Sequence, residues 1–338
     1  MKSIFAKFQY SKMILGICFT FIIALGGFAL SEVPVLNKIG PLACAIILAI
    51  LYRQFFGYPE IFRSGIDFTA KYVLRFAIIL YGLKLNISII FQDGPGLILN
   101  SIFAIIFAIF LMILLGKLLK ANKNMCLLVG IGTGVCGAAA IAATAPIIKA
   151  NEEDTAISIA MIALIGTLFS IGYTLILPII PISNKLFGIW SGLSLHELAH
   201  VALAAEPAGE NALAFGLLAK LSRVFLLVPV CGVLIAWMYM KNSSTTTNSK
   251  IAFPYFLLGF IGMSLLDSYV FGHSIIVSES IMNSISSLTT FLLAAAMVGL
   301  GLNVSLYAIR TKAIKPLIAM LITSVTLSFV MYVITYFI

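Results

Sequence analysis

The sequence predicts an all-α integral membrane protein with about eleven transmembrane helices. Three observations carry this. The chain is 62% hydrophobic and only 10% charged. Apolar runs recur along all 338 residues, each close to the ~20 residues that cross a bilayer as a helix. The runs are continuous, whereas a transmembrane β-barrel would show short alternating segments. Nothing reads as a sizeable soluble domain, so residues 1–338 are expected to form a single transmembrane transporter domain.

Taken in order, spans are expected at 13–31, 39–56, 69–90, 96–118, 125–148, 156–180, 186–205, 211–240, 253–272, 281–305 and 314–337. The first follows Lys2, Lys7 and Lys12 and so imitates a signal peptide, but no small-residue cleavage site follows it, and a retained helix is expected. The second and third flank a basic loop with Arg53 and Arg63. The fourth ends on the basic loop that carries Lys117, Lys120 and Lys123. The fifth contains the glycine-rich run Gly130-Ile-Gly-Thr-Gly-Val-Cys-Gly137. Pro178, Pro181, Pro207 and Pro229 fall near ends or kinks of the sixth to eighth, where membrane helices tolerate proline. After the eighth, Lys241-Asn-Ser-Ser-Thr-Thr-Thr-Asn-Ser-Lys250 reads as a flexible polar cytoplasmic linker (241–250) before the last three spans.

The net charge of +9 invites a nucleic-acid reading, which the distribution of the charges excludes. With a cytoplasmic N-terminus the inside loops hold fifteen Lys and Arg and the outside loops three, Lys38, Lys84 and Lys149. That is a positive-inside bias, and it predicts N-terminus in, C-terminus out. The five cysteines are widely spaced without a Cys-x-x-Cys pair, so they suggest neither a disulfide framework nor a zinc site. Gly82-Leu-Lys-Leu-Asn-Ile-Ser88 echoes Gly299-Leu-Gly-Leu-Asn-Val-Ser305, five of seven positions being identical, which hints at an inverted repeat.

Charged and imidazole groups inside apolar spans are costly, so Arg75, His196, Glu197, His200, Lys220, Arg223 and Asp267 mark where function is sought. His273 is read as interfacial. In the fifth span the glycines weaken the helix and Ala138–Ala143 restores it. A discontinuous helix is expected, its second half starting near Cys136–Gly137 and presenting free N–H groups and a positive dipole end to an anion. Close packing of helices through small residues is the alternative. In Ser191-Gly-Leu-Ser-Leu-His-Glu-Leu-Ala-His200, His196-Glu197-x-x-His200 matches the zinc-protease pattern, in which both histidines share a helix face and the glutamate activates water. The competing reading is a polar helix break lining a permeation or proton path. Lys220 and Arg223, about one turn apart, can attract an anion or pair with Glu197 or Asp267.

These segments occur in the order Cys136-Gly137 with small residues after it, His196-Glu197-Leu198-Ala199, and Leu218-Ala-Lys-Leu-Ser-Arg-Val224. Together they resemble the bacterial YeiH-type family, grouped as sulfate exporters. The resemblance implies the cation/proton antiporter and bile-acid transporter-like fold group, an inverted-repeat transporter with discontinuous crossed helices. The family often carries glutamine where this chain has His200, which counts against a zinc-ligand role for that residue.

The expected function is therefore export of a small anion, sulfate or a related sulfur oxyanion, across the bacterial inner membrane. The alternative is an intramembrane zinc metalloprotease. Candidate substrate or pathway residues are Gly132, Gly134, Cys136, Gly137, Ala138, Ser194, His196, Glu197, Lys220 and Arg223. The expected partners are the lipid bilayer and a small anionic substrate, with no nucleic acid, no cofactor, no metal and no catalytic residue. Homo-oligomerisation is left open.

Overall fold

The computed structural model describes residues 2–33, 36, 40–84, 87–241, 255–271, 279–303 and 313–337. The polar stretch after Lys241, His273 and the second half of the Gly299–Ser305 echo from Val304 onward lie outside them. Every regular element among the described residues is helical. The helices are α1 Lys2–Ser31, α2 Gly40–Phe56, α3 Arg63–Phe68, α4 Leu74–Tyr81, α5 Ile87–Leu118, α6 Lys123–Gly134, α7 Ala138–Thr144 and α8 Glu152–Ile176. There follow α9 Asn184–Ser194, α10 Leu198–Ala205, α11 Glu210–Phe225, α12 Leu227–Lys241, α13 Phe256–Leu266, α14 Glu279–Asn303 and α15 Ile314–Tyr336.

Six described segments are long and apolar enough to cross a membrane: Ser11–Ser31, Asp93–Leu118, Glu153–Ile176, Glu210–Met240, Ser280–Asn303 and Ile314–Tyr336. Gly40–Phe56 and Leu258–Val270 are shorter apolar helices. The expected spans 125–148 and 186–205 are each divided in two, α6 with α7 and α9 with α10, so neither is a single long helix. The expected third span, 69–90, is a composite of a π-helical turn at Thr69–Val73, α4 and a 3₁₀ turn at Gly82–Lys84, and its last residues already belong to α5. The expected fourth span, 96–118, begins nine residues earlier, because α5 starts at Ile87 and runs through Pro95. Proline forfeits one backbone bond, a loss that apolar helices commonly absorb. The long segment Glu210–Met240 is interrupted at Leu226, three residues before Pro229, whose missing N–H weakens the preceding turn.

The chain divides into two compact units interleaved in sequence, Met1–Ile87 with Thr174–Ile176 and Leu258–Val304, and Ser88–Tyr173 with Leu177–Leu257 and Ser305–Ile338. In the first, α1, α2, α3 and α14 pack through small residues. A Cβ on Gly27 would stand 2.7 Å from Ala45, and one on Gly301 2.8 Å from Ala49. Arg75, half-buried in α4, and Asp267, in a π-helical turn, belong to this unit.

The second unit holds the remaining polar residues. Its α6, α8 and α9 start on side-chain caps supplied by Asn122, Asn151 and Ser183. A core of Met112, Leu128, Val129, Ile141, Met161, Ile162 and Met320 joins α5, α6, α7, α8 and α15. α9 lies unusually close to α11. Cβ atoms on Gly188 and Gly192 would run into the carbonyl oxygens of Ala212 and Gly216. Glycines four residues apart remove the side chains that would hold the two backbones apart.

Candidate functional site: two broken helices closed by Arg223 and Lys220

The glycine-rich segment does two things. Gly130, Gly132 and Gly134 remain helical and let α6 approach its neighbours, Gly130 against Met112 and Gly134 against Ile105. The break falls at Val135–Gly137, and α7 restarts at Ala138, one residue after the expected Cys136–Gly137 boundary. Gly137 has φ +73° and ψ −129°, a conformation that favours glycine. A Cβ there would also overlap the Glu197 side chain, 2.6 Å from its Oε1.

The second break follows α9. Ser191 and Ser194 donate back to Phe187 O at 2.8 Å and Trp190 O at 2.5 Å, local bonds that weaken a helix end. Leu195 and Glu197 are extended, at ψ 161° and 159°, and α10 starts at Leu198. His196 therefore precedes the first turn of α10, and His200 lies within it. The shared helix face that the zinc-protease reading requires is not formed. The two rings stand edge to face with centroids 6.4 Å apart. Among the described residues no group of three or more His, Cys, Asp or Glu side chains is arranged to hold a metal.

Broken helices expose carbonyls that nothing in the helix can satisfy. In the last turn of α6 every carbonyl finds a donor. Ile131 O accepts from Val135 N at 2.9 Å and Gly132 O from Gly137 N at 2.8 Å. Gly134 O accepts from Arg223 Nε at 2.7 Å, and Thr133 O from Arg223 Nη2. The same guanidinium turns to the other break. Its Nη1 donates to Leu193 O at 2.7 Å, Leu195 O at 3.1 Å and Gly192 O at 3.3 Å. Lys220 Nζ adds a bond to Leu195 O at 2.6 Å. Both cations are fully buried. They stand where the negative ends of two half-helices meet, which is where a macrodipole favours positive charge. Neither forms an ion pair with a carboxylate among the described residues, so the alternative of structural pairing with Glu197 or Asp267 is not realised.

Glu197, 8% exposed, reaches across to the first turn of α7, where Ala138 N donates to its Oε1 at 2.8 Å. An internal carboxylate thus occupies a position the sequence suggested for a substrate anion. His196 Nε2 lies 2.9 Å from Ser324 Oγ on α15, while its Nδ1 and both ring nitrogens of His200 have no partner among the described residues. Ser194 shares a hydrogen bond with Tyr173 Oη at 2.7 Å, and Tyr173 Oη lies 2.5 Å from Ser328 Oγ. Trp190 Nε1 donates to Ser328 O at 2.8 Å and its ring stacks on Tyr173 at 4.2 Å.

The structure therefore gathers Gly132, Gly134, Cys136, Gly137, Ala138, Ser194, His196, Glu197, Lys220 and Arg223 into one unit, around two breaks joined by Arg223. Tyr173, Ser324 and Ser328 escaped the sequence reading. Ser324 and Ser328, spaced one turn apart on α15, were the available signal.

Comparison with known proteins places the same segments in a shared family. The profile of "Conserved hypothetical protein 698" matches residues 15–320, across both breaks and the Lys220–Arg223 pair. The chain belongs to this YeiH-like family. It is 48% identical over 331 residues to a UPF0324 membrane protein of Staphylococcus aureus strain MSSA476, covering 98% of each chain. It is 50% identical over 320 residues to a UPF0324 membrane protein of Staphylococcus epidermidis strain ATCC 35984, covering 95% of each. Family membership and the long apolar helices together make it a membrane protein.

Proposed function

We propose that this protein is a transporter that exports a small anion, sulfate or a related sulfur oxyanion, across the bacterial cell membrane, and that it is not an enzyme. The observation that carries the reading is the meeting of two interrupted helices around buried Arg223 and Lys220. Irregular backbone inside an apolar span is tolerated where it is buried in protein or lines a polar cavity, and transporters build substrate sites from such half-helices. Arg223 and Lys220 hold the two carbonyl ends and make the region positive. His196 and Glu197 orient, gate or couple protons.

In this proposal the N-terminus is cytoplasmic and the C-terminus outside, following the fifteen-to-three bias of Lys and Arg. Alternating access comes from rocking one bundle against another. The energetics suit export. One charge crossing ~100 mV is worth roughly 2.3 kcal/mol, so a dianion leaving an inside-negative cell gains roughly 4.6 kcal/mol.

The test is efflux of sulfate or sulfite from loaded proteoliposomes. Protein-dependent efflux, accelerated when the interior is made negative, is expected. Efflux equal to that of protein-free liposomes for both anions removes the proposal.

A further inference from the structure

The two half-helix N-termini are not equivalent. That of α7 is closed, its Ala138 N–H being taken by the Glu197 carboxylate at 2.8 Å. That of α10 is open. Its N-cap, Glu197, makes no side-chain capping bond, and the first amide bond of the helix is Val201 N to Glu197 O at 3.1 Å. The amides of Leu198, Ala199 and His200 meet no acceptor among the described residues. All three residues are buried, so bulk water does not readily satisfy them.

A second observation points the same way. His200 is the third residue of α10 and has no exposed surface, yet neither ring nitrogen has a partner among the described residues. Helical side chains tilt toward the N-terminus, and a residue at this position can reach back over the first turn, as in a capping box. Gly166 on α8 lies against the imidazole, where even a methyl group would overlap it. The ring is thus held by packing rather than by a hydrogen bond. His196, just before the N-cap, is equally buried and leaves its Nδ1 unpartnered with its ring 6.4 Å from that of His200. Buried polar atoms without partners are uncommon, and several together call for a ligand or water.

We infer that the N-terminus of α10 is a binding site for a small oxyanion, held by the amides of Leu198, Ala199 and His200 and by ring N–H groups of His200 and His196. The inference rests on the transporter reading above and assigns its substrate position. A group with several acceptor oxygens fits several unspent donors at a positive dipole end. Lys220 and Arg223, bonded to Leu195 O one residue before His196, offset its charge. The neighbouring Glu197 carboxylate repels it, and is held on the other half-helix by Ala138 N.

A proline at Leu198 tests this directly. Leu198 is the first residue of α10, where proline is tolerated because its N–H takes no part in the helix. Glu197 already has φ −128° and ψ 159°, the extended conformation that a following proline demands. Leu198→Pro therefore deletes one donor and spares the fold, while Leu198→Ala loses the side chain but keeps the donor. Binding of sulfate and of sulfite to the purified full-length protein is measured by calorimetry, beside flux in liposomes. Leu198→Pro should bind roughly tenfold or more weakly than Leu198→Ala, the loss expected for one hydrogen bond to a charged group. Equal affinities overturn the site, as does wild-type protein that binds neither anion and holds only water there. Should Leu198→Pro fail to fold, His200→Ala against His200→Gln decides. A weaker Ala variant supports the site and equal losses overturn it. Wild-type protein that binds an oxyanion without moving it keeps the site and removes the transporter reading.

Discussion

Replacing Arg223 with methionine tests whether one guanidinium holds the two broken helices together. The side chain has three nitrogens and five carbonyl partners: Thr133, Gly134, Gly192, Leu193 and Leu195. Three of those bonds, to Gly134, Leu193 and Leu195, are 2.7–3.1 Å long. Hydrogen bonds to a charged group are worth ~1.5–3 kcal/mol each, so these three contribute on the order of 5–9 kcal/mol before the cost of burying the charge. Desolvation offsets several kcal/mol of that. Methionine escapes the desolvation cost but leaves the carbonyls of two half-helices facing apolar carbon. The expected net loss is about 4 kcal/mol, since each buried carbonyl left without a donor costs ~1–3 kcal/mol and part of that is recovered as the charge is removed. Thermal melting followed by helix signal in one detergent would show a fall of roughly 10 °C. Arg223→Lys should fall between, because an ammonium cannot fork to both breaks. A methionine variant that melts with the wild type would refute the reasoning, since four buried carbonyls would then have lost their donor at no cost, Leu195 O alone keeping Lys220.

Other perturbations follow from the same geometry. Lys220→Met removes a single bond to Leu195 O and should cost about 1.5–3 kcal/mol, and its effect should fall short of additivity with Arg223→Met because both side chains share that carbonyl. A double-mutant cycle on melting checks this. Gly137→Ala forces a side chain into a positive-φ position and against Glu197, with an expected loss of roughly 1–3 kcal/mol in chemical unfolding, whereas the same change at Gly172, which has open space, should be nearly neutral. Gly192→Val should disrupt the close approach of α9 and α11 at Gly216 and Ala219, and appear as loss of folded protein in size-exclusion chromatography.

Much of the fold was legible because the hydrophobic effect and the bilayer leave few choices. Long apolar runs became helices, and the two interruptions were marked by residues that do poorly in helices or in hydrocarbon. Gly137 is required by its backbone, and the serines of Ser191–Ser194 bond backward to their own turn. The direction of the charges was less legible. Lys220 and Arg223 suggested capture of a free anion, but their nearest partners are carbonyls 25 to 90 residues away in sequence. Such partners are supplied by topology, and spacing along the chain cannot reveal them. The pattern His196-Glu197-x-x-His200 suggested a metal site only as long as its helix was assumed continuous. The extended residues Leu195 and Glu197 remove that assumption.

The central claim is that these breaks serve movement of an anion and not cleavage of a peptide. The most direct measurement is sulfate and sulfite flux together with bound zinc in a single proteoliposome preparation of the full-length protein. The account predicts protein-dependent flux of at least one of the two anions without stoichiometric zinc. Near one zinc per chain with no flux of either anion would contradict it.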